Sequence, residues 1–162
     1  MKDFVKMLDN VTQAINSMPQ RVATMAVNFS KERFVEQNWH DRQTEPWKKR
    51  KGRRRGGDKR QNGAVLVDSG RLKRSIRVIS ASRERVVIGT DVPYAQAHND
   101  GADGIVRVGQ HNRRTRKGKK AVVRAHSRKM NLPQRQFIGE SEELANRVNN
   151  MIVEELQKAL ER

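Results

Sequence analysis

Cysteine is missing altogether, which rules out disulfide staples and every zinc site built on thiolates. The absence of thiols also suits a reducing compartment. Aromatic side chains are scarce, only 4% of residues, with two Trp and one Tyr among them. Apolar residues of every kind reach 35%, and mean hydropathy is −0.92. Part of the chain is therefore expected in water while the rest forms a modest core. No 18 apolar residues run together, which argues against a membrane-spanning helix. The first helix-like segment is broken by Asp3, Lys6 and Asp9, unlike the apolar stretch of a signal peptide. A soluble single domain over residues 1–162 is expected, with no membrane partner and burial of roughly 70% of its unfolded surface.

Acidic residues are absent where basic ones crowd. The net charge is +17, and its location says more than its total. Residues 48–60 hold nine Lys/Arg and one Asp, and residues 107–129 hold ten Lys/Arg and no acid. The remaining chain, with 16 basic and 17 acidic residues, is close to neutral. The charge reads as two cationic additions to an electrically ordinary body: a basic loop insertion at 48–63 and a basic hairpin arm at 107–129.

Periodicity organises the body. Phe4, Leu8, Val11 and Ile15 make the stripe of an amphipathic helix. Pro19, lacking an N–H, is expected to stop or kink it. A second stripe follows at Val22, Met25, Ala26 and Phe29, less cleanly at Arg33 and Phe34, and the helical region is expected to end near Asn38. Residues 38–63 have neither period and read as a loop or partly disordered arm, anchored by Trp39 and Trp47. Asp68-Ser69-Gly70 reads as a turn opening a strand. Ile76 and Val78 face Val86 and Ile88 in a hairpin, with Ile79 and Val87 on its second face. Residues 91–101 read as a short helical turn closed by Gly101. Residues 105–108 are expected to pair with 121–124, leaving the cationic tip between them. Ser141 opens a terminal helix carrying Leu144, Val148, Met151, Ile152, Leu156 and Leu160, with Glu142 and Glu143 placed to suit its dipole. The fold class is α+β: N-terminal helices, a central antiparallel β-sheet with a long basic hairpin, and a C-terminal amphipathic helix.

Catalytic patterns do not emerge. The four histidines, His40, His98, His111 and His126, show no HxH or HExxH spacing. There is no phosphate-binding Gly-rich loop and no GxSxG turn. Ser69 with His98 and an Asp could be drawn as a triad, but so could almost any such trio in a chain of this size. No enzyme, metal or cofactor is expected.

Three stretches stand in a distinctive order: LVDSGRLKRSI (66–76), VVIGTDVPYAQAHNDG (86–101) and LPQRQFIG (132–139). Together they resemble the virion morphogenesis, or tail-completion, family of tailed bacteriophages. The matching residues in the first stretch are Ser69, Gly70, Leu72, Ser75 and Ile76. In the second they are Gly89, Thr90, Pro93, Tyr94, Ala95, His98 and Gly101, and in the third Pro133, Arg135, Phe137, Ile138 and Gly139. Trp47 also falls where such proteins often carry a Trp before a basic loop. The resemblance implies a structural protein of the phage neck, acting late in tail assembly as a ring at the head-proximal end of the tail. Its implied partners are its own copies, as a hexameric ring, with connector or head-completion proteins and tail tube or tail terminator proteins. In this setting Tyr94 and His98 are expected on one face, as a hydrogen-bonded corner within the subunit or at a subunit interface. Arg135 is expected to hold the final helix to the sheet.

The cationic residues Lys48, Lys49, Arg50, Arg53, Arg54, Arg55, Arg113, Arg114, Arg116, Lys117, Lys119 and Lys120 admit three readings. They are solvated, or they meet acidic surfaces of neighbouring proteins, or they face a channel and touch the backbone of genomic DNA. Neither arm interleaves aromatics, so any DNA contact would be indifferent to sequence. The competing function class is a free-standing, sequence-independent nucleic-acid-binding protein, which the charge and a pI near 11.2 favour and the three ordered motifs oppose.

Overall fold

The structure, a computed structural model, describes residues 2–49, 64–115 and 118–161. It opens on α1 (Lys2–Glu36), a single helix through which Pro19 passes without a break. Of the stop or kink expected at Pro19, the stop does not occur, and one long helix forms. A missing N–H costs a helix about 3 kcal/mol, and the burial of Ala23, Ala26, Val27, Phe29, Ser30 and Phe34 just downstream outweighs it. Arg33 takes its place in that stripe fully buried. Its guanidinium lies 4.5 Å from the Phe29 ring centre, donates to Asn38 Oδ1 at 2.8 Å, and meets Glu36 at 3.1 Å. Those contacts satisfy the charge that made the stripe look imperfect.

α1 ends at Gln37, whose φ of 59° turns the chain out of the helix. Residues 38–46, expected to be irregular, instead form a small antiparallel hairpin of β1 (Asn38–His40) and β2 (Thr44–Pro46). Three-residue strands are too short to show a period. The hairpin seats Trp39 edge-on against Phe29, centroids 5.8 Å apart. Trp47 then enters the core, and residues 50–63, most of the basic loop, lie outside the described residues.

The turn at 68–70 leads into a short helix, α2 (Arg71–Ser75), rather than directly into a strand. Leu72 and Ile76, four residues apart, are both buried, a spacing that one helical turn also places on one side. Gly70 precedes α2 at φ 71°. The hairpin of β3 (Arg77–Ala81) and β4 (Val86–Gly89) forms as expected and pairs Val78 with Ile88. Val78 and Ile88 are half-buried against the core, while Ile79 lies largely in solvent. α3 (Ala95–Asn99) follows and closes at Gly101, φ 77°.

The arm departs from the expected pairing. β5 (Ala102–Val108) runs against β8 (His126–Leu132), so Ile105 faces Lys129 rather than the 121–124 segment. That segment belongs to β7 (Lys120–Val123), which pairs with β6 (His111–Arg114) in a second ladder nearer the tip. The class is α+β, with the antiparallel structure divided into four two-stranded ladders among the described residues.

α4 (Glu142–Glu161) begins where Ser141 Oγ accepts the Leu144 N–H at 3.1 Å and donates to His40 O at 2.7 Å. It runs antiparallel to α1: Arg147 pairs with Glu32 at 2.9 Å, and Glu155 pairs with Arg21 further along. Ala159 is buried on it, while Leu160, expected inside, is exposed. The main core gathers Val27, Phe34, Trp47, Leu72, Ile76, Val92, Ala95 and Phe137 between α1 and the middle of the chain.

Candidate functional site

The three motif stretches, distant in sequence, are bound to each other. Ser75 Oγ lies 2.5 Å from Thr90 Oγ1, which also accepts the Val92 N–H at 3.2 Å, so the first stretch is latched to the second. The second holds the third through α3. His98 O accepts the Arg135 N–H at 2.9 Å, and Asn99 Oδ1 accepts the N–H groups of Phe137 and Ile138 at 2.9 and 3.0 Å. A Cβ at Gly101 would sit 2.9 Å from the Gln134 backbone nitrogen, so this close approach requires glycine as well as its positive φ. Asn99 was not singled out from the sequence. Asn99→Ala is expected to lose about 2–3 kcal/mol of stability by stranding two backbone donors, with Asn99→Asp retaining most of it. Urea melts of the three proteins check this.

Leu72, Ile76, Ala95 and Phe137 of the motifs are core residues. The polar and small ones, Ser69, Gly70, Tyr94, His98, Pro133 and Arg135, instead line a cleft of about 660 Å³. Lys48, Lys49 and Arg71 line the same cleft, with Asp68 its acidic member. Two residues expected in a separate basic arm, Lys48 and Lys49, therefore join the motif residues. The cleft carries an excess of positive charge suited to an anion or a carboxylate-bearing segment. Gly89, at the end of β4, and Thr90, Pro93 and Gly139 in the connections do not line it.

Arg135 ties the third motif to the start of the basic loop. It is buried, and its Nε and Nη2 both donate to Lys48 O, at 3.0 and 2.9 Å. It thereby fixes the start of the basic loop. Gln37 reinforces that base: its carbonyl accepts the Trp47 N–H at 2.8 Å, and its side chain donates to Val65 O at 3.1 Å and accepts the Val65 N–H. Both ends of the 48–64 loop are thus pinned by the residue that ends α1.

Tyr94 and His98 meet edge to face with centroids 5.9 Å apart, and the His98 backbone N–H donates to Tyr94 O at 3.3 Å. His98 Nδ1 is buried and has no hydrogen-bond partner among the described residues. Ser69, Asp68 and His98 share the cleft, yet a triad requires that nitrogen to donate to a carboxylate. Among the described residues no His, Asp or Glu cluster suits a metal ion, and no helix is long and apolar enough to cross a membrane.

Burial lowers the His98 pKa, and the Arg135 charge lowers it further. The unfolded chain then binds the proton more readily than the folded one. Stability is expected to fall as pH drops below about 6.5, where a free imidazole titrates, and to level off below the folded pKa. His98→Gln should flatten that part of the profile, as measured by urea melts at a series of pH values.

Of the predicted cationic contacts, Arg113, Arg114, Lys119 and Lys120 stand on the outer ladder of the arm or beside it. All four are exposed. Arg50, Arg53, Arg54, Arg55, Arg116 and Lys117 lie outside the described residues. Arg107, Arg124, Arg128 and Lys129 extend the exposed cationic surface down the arm. Ile105 and Val122 are also exposed, at 78% and 63%, so the ladders lack a covering layer of their own. Two-stranded ladders of this kind are marginal in water.

A family model described as the phage virion morphogenesis family matches residues 1–157. No curated protein and no solved structure matches the chain.

Proposed function

The chain belongs to the phage virion morphogenesis family, and from that premise we propose that it is a structural protein of the phage neck, completing the tail so that it can join a filled head. Membership gives it a part in building the virion; the neck position, the ring and the joining step are our reading. In that reading the near-neutral body forms a hexameric ring of its own copies at the head-proximal end of the tail. Connector or head-completion proteins lie on one side of it, and tail tube or tail terminator proteins on the other.

The observation that carries this reading is the division of the molecule. Three motif stretches lock into one packed unit, while Arg113, Arg114, Lys119 and Lys120 stand away from it on an uncovered arm. Such an arm gains stability by meeting a surface supplied in an assembly. The experiment is a phage lacking this gene. Full heads and separate tails should accumulate, and purified chain added to them should restore joined particles. Wild-type particles should contain the chain at ring stoichiometry. Normal joined particles without it, or a monomer that shifts any duplex at physiological salt and never enters particles, would favour a free-standing nucleic-acid-binding protein.

A further inference from the structure

The cleft shared by the motif residues has walls of two kinds. Val65, Leu66, Leu72, Leu132 and Pro133 give it an apolar floor, of which Val65 and Leu72 are buried. Lys48, Lys49 and Arg71 line it as well, but are exposed and form a cationic rim. None of these three makes an ion pair among the described residues. Tyr94 stands in the same lining with 43% of its surface in water. Leu66 is held at φ 63°, a left-handed conformation that leucine rarely adopts. Backbone strain of this kind gathers at ligand sites.

We propose that this cleft is a docking site for an acidic peptide segment of a neighbouring virion protein. An aliphatic side chain of the segment lies on the apolar floor, and its carboxylates meet Lys48, Lys49 and Arg71. The volume of about 660 Å³ suits a few side chains. Duplex DNA fits less well, because phosphate oxygens gain nothing from an apolar floor. This chain is not the donor either. Residues 50–63 carry seven Lys/Arg and one Asp, and a second copy brings a net charge of +17, so the cationic rim repels both. That the segment comes from a neighbouring virion protein rests on the neck reading above; its chemistry rests on the cleft.

The test titrates the full chain into a fluorescein-labelled peptide, Asp-Asp-Leu-Asp-Asp, at physiological salt and follows anisotropy. That peptide should bind about ten-fold or more tightly than Asp-Asp-Ser-Asp-Asp, which has the same charge and no aliphatic side chain to bury. Arg71→Glu and Lys49→Glu should each weaken it about ten-fold with an unchanged circular dichroism spectrum. Arg113→Glu on the arm should change it less than about two-fold, because salt screens exposed charges that do not touch the peptide. Equal affinity for the two peptides leaves only diffuse attraction to a basic chain and overturns the site. So does an Arg113→Glu loss as large as that of Arg71→Glu. Displacement of the peptide by an equal amount of duplex DNA would make the cleft a nucleic-acid site instead. Dispersal of self-associated chain by the peptide, seen in light scattering, would make the occupant a second copy; either result overturns the assignment. A peptide that fails to bind, with the chain still present in joined particles, removes the docking site and leaves the neck reading standing. Absence of the chain from purified particles sinks the neck reading, and with it the segment's source, whatever the peptide does.

Discussion

Trp47→Ala is expected to cost about 3–5 kcal/mol, the range for removing a large aromatic from a core. Trp47 packs edge-on against Phe34, centroids 5.4 Å apart, and Phe34 in turn lies 5.0 Å from Phe137. The substitution therefore opens a hole where α1, the start of the basic loop and the third motif meet. It also strands an acceptor, because Trp47 Nε1 donates to Gln136 O at 2.9 Å. Trp47→Phe separates the two effects. It keeps most of the ring contact and loses the hydrogen bond, so it should cost about 1–3 kcal/mol, the range for an unsatisfied buried group. Urea denaturation followed by circular dichroism gives both values. Equal losses for the two variants would make the indole N–H the dominant contribution, and a Trp47→Ala loss near zero would remove Trp47 from the core.

Trp47 also shows what was legible in the sequence. A lone Trp before a charge block reads as an anchor, and it is one, but the acceptor of its indole N–H lies 89 residues away along the chain and no local pattern names it. Periodic elements were legible for a physical reason: long stripes on α1 and α4, and the alternation of β3 and β4, record a buried face repeatedly. Ser141 and Gly101 were legible because capping and a positive φ restrict residue choice. The arm's register was not. Residues 105–108 and 121–124 both carry apolar alternation, and nothing in that pattern separates mutual pairing from two nested ladders. The true partner of β5 is HSRKMNL, whose polar residues hide it because both faces of the arm meet water. α2 was missed because one helical turn shows no period, and Pro19 left stop and continuation both open because its cost is local while the burial that outweighs it is distributed. Asn99 was invisible: a single amide bonding two backbone groups 38 and 39 residues away leaves no signature.

Duplex DNA bound by the full chain is expected to be released steeply by salt. If the two basic arms neutralise about ten phosphates, log K should fall against log salt with a slope near −9, an affinity loss of about 10⁵-fold between roughly 50 and 200 mM. The structure favours a contact of this kind over base readout. The arm is a ladder with charged side chains on exposed strands, it offers no aromatic platform, and no recognition helix accompanies it. The affinity should therefore not change with base sequence. Deleting residues 109–120 removes Arg113, Arg114, Arg116, Lys117, Lys119 and Lys120 while leaving the β5–β8 ladder in place. With the phosphate contacts shared evenly among the arm cations, about seven remain, and at about 0.9 units of slope per phosphate the remaining slope should be near −6. Titrating both proteins against duplexes of unrelated sequence, by fluorescence anisotropy, measures all of these quantities. A flat salt response in the intact chain would instead assign the arms to acidic surfaces of neighbouring proteins. The deletion should then weaken joining of tails to heads while leaving DNA affinity unchanged, since the packed body carries almost none of the net charge.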